Sequence, residues 1–494
     1  MTARERINAL VDADKPNLEI GMMAHTILES TQEVCDASGV VVVVAYVSGH
    51  PCVVVANDAM IKAGAWFPMT AKKNLRAQEI ALINKIPIVY LVDSAGIFLP
   101  QQNDVFADQD HFGRVFRNNA VMSAQGITQI AVVMGSCVAG GAYLPAMSDE
   151  IIMVQDSGTI FLAGPHLVKA AIGETIDEQL LGGAQTHAEL SGLADYVAKD
   201  ELDALKRVRK TMGMMSFNPN GYFNRISPKY PSLAPELIYH NLPNSRTEAY
   251  DMQLILNSMV DEDSFEPYKP DFGQTIICGY ARIDGWAVGV VANQRLTVKS
   301  KRGEMQMGGV IYSDSATKAA RFIAMCNQKG LPLVFFQDVN GFMVGSKSEH
   351  NGIIKDGAQM VSAMANSVVP KFTIIVGNAY GAGYYAMCGK AYDPRFIVAW
   401  PTAKIGVMGG QQAAKVLLQI QTNSQEMLDD ATKKERLAEI EAKYDRELSP
   451  YYAAQQLWVD AIIDPIQTRQ WISTGIDITQ HNPLDKFNIG LTQM

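Results

Sequence analysis

The chain has 494 residues, 48% of them apolar and 19% charged, with a net charge of −9. That length can hold two full cores, the balance is that of a globular chain and not of a disordered one, and the acidity argues against a nucleic-acid-binding surface. Six cysteines lie far apart with no Cys-x-x-Cys pair, which disfavours a zinc ribbon and fits reduced thiols in a cytoplasmic core.

Residues 4–11 open the chain as an amphipathic helical segment. The apolar run at 40–47 is too short to cross a bilayer and the first residues carry no signal-peptide pattern, so no membrane attachment is expected. Strand-like and helical segments then alternate to about residue 235. Residues 218–243 are dense in Pro, Asn and Tyr, which is linker chemistry. A helical stretch at 249–260 starts the second half, and a strand pattern resumes at 275–283. The most polar segment, 421–448, alternates in charge and is expected to be an exposed helical insertion without a first-half counterpart. Alternation of this kind indicates α/β layers with mixed or parallel sheets.

Three motifs recur in order at an offset of about 240 residues. Val53-Val-Val-Ala-Asn57 is echoed by Gly289-Val-Val-Ala-Asn293, and Ile86-Pro-Ile-Val-Tyr-Leu-Val-Asp-Ser-Ala-Gly96 by Leu331-Pro-Leu-Val-Phe-Phe-Gln-Asp-Val-Asn-Gly341. Gly135-Ser-Cys-Val-Ala-Gly-Gly-Ala-Tyr-Leu-Pro-Ala-Met147 is echoed by Gly377-Asn-Ala-Tyr-Gly-Ala-Gly-Tyr-Tyr-Ala-Met387. A period this long indicates a duplicated domain, not a solenoid. Backbone amides approach a ligand oxygen closely only where side chains are tiny, so the two units predict two oxyanion sites, with a helix N-terminus behind each adding positive potential. The loops ending at Gly96 and Gly341 are each expected to supply one further amide, which makes a two-donor hole fit for an enolate.

Other chemistry is missing. There is no Gly-x4-Gly-Lys-Ser/Thr phosphate loop, no His-Glu-x-x-His and no Gly-x-Ser-x-Gly elbow, so no metal is expected and the site is built of backbone donors. His111 is a conceivable base, though a structural histidine is the plainer reading. Cys137, beside the glycine pair, reads as a small buried filler. Lys72, Lys73 and Arg76 could meet phosphates, against the plainer reading of solvated helix charge. With no evident protein acid or base, the base is expected to come from a cofactor.

These segments closely resemble the carboxyltransferase (β) subunits of biotin-dependent acyl-CoA carboxylases, over nearly the whole chain. Asp93-Ser-Ala-Gly-Ile-Phe-Leu-Pro100, Asp110-His-Phe-Gly-Arg-Val-Phe116, Gly341-Phe-Met-Val-Gly345, Ala386-Met-Cys-Gly-Lys-Ala-Tyr-Asp-Pro-Arg-Phe396 and Val407-Met-Gly-Gly410 look like the methylcrotonyl-CoA carboxylase branch. The resemblance implies an α/β fold of two tandem crotonase-like domains with mixed sheets and flanking helices. Residues 1–235 would take the acyl-CoA thioester and 236–494 the carboxybiotin. One enolate would be stabilised by Gly140 and Gly141, the other by Ala382 and Gly383. Ala95, Phe98, Tyr143, Phe342, Tyr384 and Tyr385, with the basic cluster above, would contact substrate.

The family mechanism has carboxybiotin release CO2, the biotin enolate deprotonate the acyl-CoA, and the CoA enolate capture CO2. The chain has no Met-Lys-Met biotinyl site, so biotin would arrive on a biotinylated α subunit, and the family assembly is a β hexamer with sites at subunit interfaces. The branch resemblance ranks 3-methylcrotonyl-CoA ahead of propionyl-CoA and geranyl-CoA. Three rivals are a crotonase-type hydratase or isomerase, the carboxyltransferase subunit of a sodium-pumping acyl-CoA decarboxylase, and a silent scaffold subunit.

Overall fold

The computed structural model describes the chain except residues 29–30, 107, 216–222, 244, 246–247, 300–302, 411–429, 481–483 and 486–494. It divides into two compact units, Met1–Asn220 and Gly221–Met494. The division falls ahead of the expected residue 235 because the Pro-rich segment is tied to the second unit. Arg225 bridges to Trp286, the Ile226 amide donates to Gly285 O at 3.2 Å, and Pro231 bridges to Asp261.

The first unit is built on an eight-stranded sheet. Its strands are β1 (Leu18–Ile20), β2 (Val40–Val47), β3 (His50–Asn57), β4 (Ile88–Ser94), β5 (Gln129–Val138), β6 (Glu150–Val154), β7 (Thr159–Phe161) and β8 (Tyr196–Ala198). They run in the order β1-β2-β3-β4-β5-β6-β8, with β7 paired to β5. The pairings β1/β2 and β2/β3 are antiparallel and the others parallel. All eight residues of β2 are buried, as the unbroken valine run requires of a strand covered on both faces. Ser48 and Gly49 turn it into β3 with positive φ at both positions, the two-residue hairpin geometry that matches strand twist.

The helices that dress this sheet include α1 (Ala3–Leu10), α2 (Pro68–Asn84), α3 (Phe112–Ala124), α4 (Tyr143–Ala146), α5 (Pro165–Ile172) and α6 (Glu201–Gly213). On one face Ile7 and Leu10 of α1 join Leu205, Val208 and Met212 of α6 over Val43, Val54, Leu91 and Val132. That cluster fixes where the strands end, and the sequence motifs lie at those ends.

The second unit repeats the plan. Its strands are β9 (Glu266–Pro267), β10 (Ile276–Ile283), β11 (Trp286–Asn293), β12 (Leu333–Val339), β13 (Lys371–Tyr380), β14 (Phe396–Ala399), β15 (Lys404–Gly406) and β16 (Ala461–Ile462). The order β9-β10-β11-β12-β13-β14-β16, with β15 on β13, matches the first sheet strand for strand, as do the pairing directions. Helices α7 (Ser313–Gln328), α8 (Ile353–Ala365) and α9 (Gly381–Ala386) stand where α2, α3 and α4 stand in the first unit. Phe322 and Ile323 of α7 and Met360 and Met364 of α8 pack over Val291 and Phe335. Of the expected insertion at 421–448, Asp430–Glu447 forms a helix, α10, and residues up to 429 lie outside the described residues. Among the described residues no helix is long and apolar enough to cross a membrane.

The duplication reaches the buried polar groups. Lys73 on α2 donates to Ala37 O at 2.9 Å and Val40 O at 2.5 Å, and Lys318 on α7 donates to Ile276 O at 2.9 Å. Each lysine thus ties its helix to the start of the neighbouring strand. Burial pushes Lys73 down from 10.5 to about 7. Because its folded pKa lies below that of an unfolded lysine, the folded chain binds fewer protons between these values, and the stability contribution rises with pH across pH 7 to 10.5. Lys73→Met is therefore expected to flatten the rise of Tm with pH in that window; parallel Tm profiles for the two proteins would contradict this.

Candidate active site

In the first unit the site begins at an irregularity in the β4/β5 register between Val92 and Ser94, where Asp93 sits. Its carboxylate lies against Gly135, where any Cβ would overlap it. Its amide donates to Asn57 Oδ1 at 3.3 Å, and Arg6 Nη1 on α1 donates to Oδ2 at 3.0 Å. Ser94 Oγ donates to Gly64 O at 2.7 Å, which closes the loop beneath the strand end. Gly96 has φ +87°, and a Cβ there would come within 3.0 Å of Val138 O, so glycine is required on both counts.

Gly141 faces Gly96, a Cβ built on it lying 3.8 Å from the Gly96 Cα. The two loops that the repeat singled out therefore meet. Gly140 and Gly141 lie in a single 3-10 turn, Ala139–Ala142, whose leading amides have no partner inside the turn. Ala139 holds φ +56°, a strained value for alanine at the point where the second unit has Gly381 at φ +54°.

Two expectations change here. The Gly96 amide is turned to Ser94 Oγ at 3.2 Å and the Ala95 amide to Ala63 O at 2.9 Å, so the amides expected from this loop are already engaged. The helix behind the glycine pair has four residues in the first unit and six in the second. Helices this short put little dipole behind the glycine turns.

Tyr143 is exposed, its ring 5.9 Å from Phe116 at the end of an edge-on chain of rings through Phe112 to Trp66. Phe98 is half-buried against Phe67 at 5.1 Å, and Ala95 is exposed. The basic cluster is divided. Lys72 is on the surface of α2, but Lys73 is turned inward onto the two carbonyls above, and Arg76 is buried with Nη1 2.7 Å from Glu79 Oε2. Helical spacing put these residues on different faces, which their adjacency in sequence conceals. Burial raises the Cys137 thiol to about 12, which leaves it inert, as a filler should be. His111 caps α3, its Nδ1 buried without a hydrogen-bond partner and its Nε2 3.8 Å from Asp108.

The second unit builds the same frame. Asp338 sits at the β12/β13 irregularity with its carboxylate against Gly377. Its amide donates to Asn293 Oδ1 at 3.2 Å, its Oδ1 accepts from the Asn378 amide at 2.8 Å, and its Oδ2 accepts from the Tyr250 hydroxyl at 2.9 Å. Arg295 Nε stands 3.3 Å from the same Oδ2. Gly383 faces Gly341 more closely than the first-unit pair, a Cβ built on it lying 3.1 Å from the Gly341 Cα. Ala382 between them in sequence is exposed on α9.

A cleft of about 960 Å³ opens at Gly341, lined also by Phe342, Asn378, Tyr380 and Lys404. Asn378 Nδ2 donates to Asn340 Oδ1 at 2.8 Å, and Asn378 Oδ1 is left as a buried acceptor without a partner. The tyrosine pair separates. Tyr384 faces inward, its hydroxyl accepting from the Lys390 amide at 2.8 Å, while Tyr385 is 47% exposed with its ring 6.0 Å from Tyr392. Sequence reasoning missed Arg6, Arg295 and Asn378. The last follows directly from the repeated glycine and could have been found, but nothing local marks Arg6.

The profile of the carboxyl transferase domain matches residues 1–490. The chain belongs to that family. It is 43% identical to the biotin-dependent 3-methylcrotonyl-coenzyme A carboxylase beta1 subunit of Mycobacterium tuberculosis, over 99% of this chain and 90% of that protein. It is 44% identical to a probable mitochondrial methylcrotonoyl-CoA carboxylase beta chain of Drosophila melanogaster, over 100% of this chain and 86% of the other. The structure of the geranyl-CoA carboxylase beta subunit of P. aeruginosa superposes with a TM-score of 0.87 at 35% identity, covering 100% of this chain and 90% of that one. This carboxyl transferase chain is accordingly an enzyme, the carboxyltransferase subunit of a biotin-dependent acyl-CoA carboxylase, and its two units are the crotonase-like α/β domains that the motifs predicted.

Proposed function

We propose that the chain carboxylates 3-methylcrotonyl-CoA, its first unit binding the thioester and its second the biotin ring carried by a biotinylated α subunit. The observation that carries this reading is the pair of matching loop junctions, Gly96 with Gly141 and Gly341 with Gly383, one in each unit. Each places a glycine-bearing turn against a glycine of the other loop, and an enolate oxygen forming there would be stabilised by amides of the turn already in place. The cleft of about 960 Å³ at Gly341 supports biotin as the second unit's ligand in size and polarity, since Asn340, Asn378 and Tyr380 line it beside Phe342. When bound, that group supplies the activated carboxyl and the base. The chain's own residues orient the two ligands, hold the enolate charge and keep bulk away from it.

The proposed partners have support of a different kind. Helix α5 buries none of its side chains within the unit, and Leu167 and Ile172 on it, with Leu162 before it and Leu180 and Leu190 after it in sequence, are each more than 60% exposed. An apolar surface of that density belongs in an interface, as a hexamer with sites between subunits requires. All six cysteines are free and buried, which supports a cytoplasmic location.

The test is kcat/KM for 3-methylcrotonyl-, geranyl- and propionyl-CoA, measured on the holoenzyme assembled with its biotinylated partner. We expect the first to lead and the others to follow within about two orders of magnitude, because a pocket discriminates a methylene by only about 1–3 kcal/mol. A larger preference for propionyl-CoA overturns the substrate. ATP hydrolysis, or covalent biotin, on the isolated chain overturns the division of labour.

A further inference from the structure

We propose that Arg6 and Arg295 are positioning residues, each holding the strand-end aspartate that sets the glycine junction of its own unit, so that each governs only that unit's half of the reaction. This rests on the assignment of one ligand to each unit given above.

The two units repeat three parts of the frame at equivalent positions: the aspartate (Asp93, Asp338), the asparagine that accepts its amide (Asn57, Asn293) and the glycine against its carboxylate (Gly135, Gly377). The cation is not repeated. Arg6 comes from α1 at the far end of its unit's sequence, whereas Arg295 follows Asn293 at the point where the first unit carries Ala59 after Asn57. Both guanidinium groups are buried, with side chains 6% and 8% exposed. The same carboxylate has thus acquired a buried counter-charge from two unrelated places, which a merely inherited contact would not produce.

The carboxylate's location explains the need. Asp93 and Asp338 occupy the register irregularities one residue before the strands end at Ser94 and Val339, and the chain then runs on to Gly96 and Gly341, which face Gly141 and Gly383. Asp338 also takes the Asn378 amide, three residues before the turn at Gly381. Asp338 therefore bridges both loops of its junction, and Asp93 lies against Gly135 of the second loop at the equivalent place. Removing Arg295 takes the counter-charge from the buried Asp338, and removing Arg6 takes it from Asp93, 17% exposed, and from Glu201, whose Oε1 accepts from Arg6 Nη2 at 2.5 Å; a strand-end carboxylate so left must rotate or take up a proton, and either change moves the loops. Displacement of about 1 Å is enough to cost about a hundredfold in rate.

The experiment compares Arg6→Met, Arg6→Lys, Arg295→Met and Arg295→Lys in the holoenzyme, reading kcat and KM for the CoA ester forward, KM for free biotin as carboxyl acceptor in reverse, and Tm. Each Met variant is expected to lose about ten- to a hundredfold in kcat and to raise one KM only, with the Lys variant recovering most of the loss. Arg6→Met should move the CoA-ester KM and Arg295→Met the biotin KM. If the two KM effects are exchanged, the positioning role stands and the ligand assignment falls. Met variants that assemble and keep kcat within about threefold, or that shift both KM values alike, overturn the proposal. Should Arg295→Met fail to assemble, Arg295→Met combined with Asp338→Asn removes both charges. That protein is expected to assemble and stay at least about tenfold slow, and wild-type turnover in it overturns the proposal by reducing the pair to charge balance.

Discussion

Replacing Gly141 by valine is expected to lower carboxyl transfer by about a hundredfold or more while the protein folds and assembles normally. The structure separates these two consequences. A Cβ at this position stands 3.8 Å from the Gly96 Cα, an ordinary contact, so the backbone has room for it. The two methyl groups beyond it would crowd the gap between Gly96 and Gly141, where the proposed function places the ligand oxygen against the amides of the 139–142 turn. Binding that keeps the oxygen out by more than about 1 Å forfeits those hydrogen bonds, and loss of one such donor alone costs about 3–4 kcal/mol in comparable sites. Ala382→Val is the counterpart test in the second unit, since Ala382 is exposed and its change burdens the fold little. Steady-state turnover of the holoenzyme, with size-exclusion and Tm as controls, decides the matter; near-normal carboxylation by a correctly assembled Gly141→Val protein removes this junction from the site.

Gly377→Ala is expected to act on the fold itself. A Cβ there overlaps the Asp338 carboxylate, which is held by Tyr250, Arg295 and the Asn378 amide and has nowhere to go. Overpacking of a rigid buried group costs about 1–3 kcal/mol, and displacing the carboxylate adds an unpaired buried charge to that. The second unit should therefore melt about 5–10 °C lower, with activity lost together with stability. Gly135→Ala, against Asp93, should behave alike in the first unit. A Tm within about 1 °C of the parent for both proteins would falsify this account of why glycine stands beside each aspartate.

Much of this protein is legible in its sequence because its information there is local and said twice. The echo of Val53–Asn57 in Gly289–Asn293, and of the two glycine motifs, reports strand ends directly, since a buried parallel strand must be apolar throughout and a close-approach turn must be small. From those rules alone come the two-unit α/β organisation and the meeting of the repeated loops. Residues whose role depends on which way a side chain points were not legible. Lys72 and Lys73 are neighbours in sequence, yet helix geometry sends one to solvent and the other onto Ala37 O and Val40 O. Tyr384 and Tyr385 part in the same way. Only the folded chain could show that the Gly96 amide is spent on Ser94 Oγ, or that Arg6 crosses 87 positions of sequence to reach Asp93. Such long-range pairs leave no periodicity behind them; the sheet order and the packing of α1 over its strands bring them together.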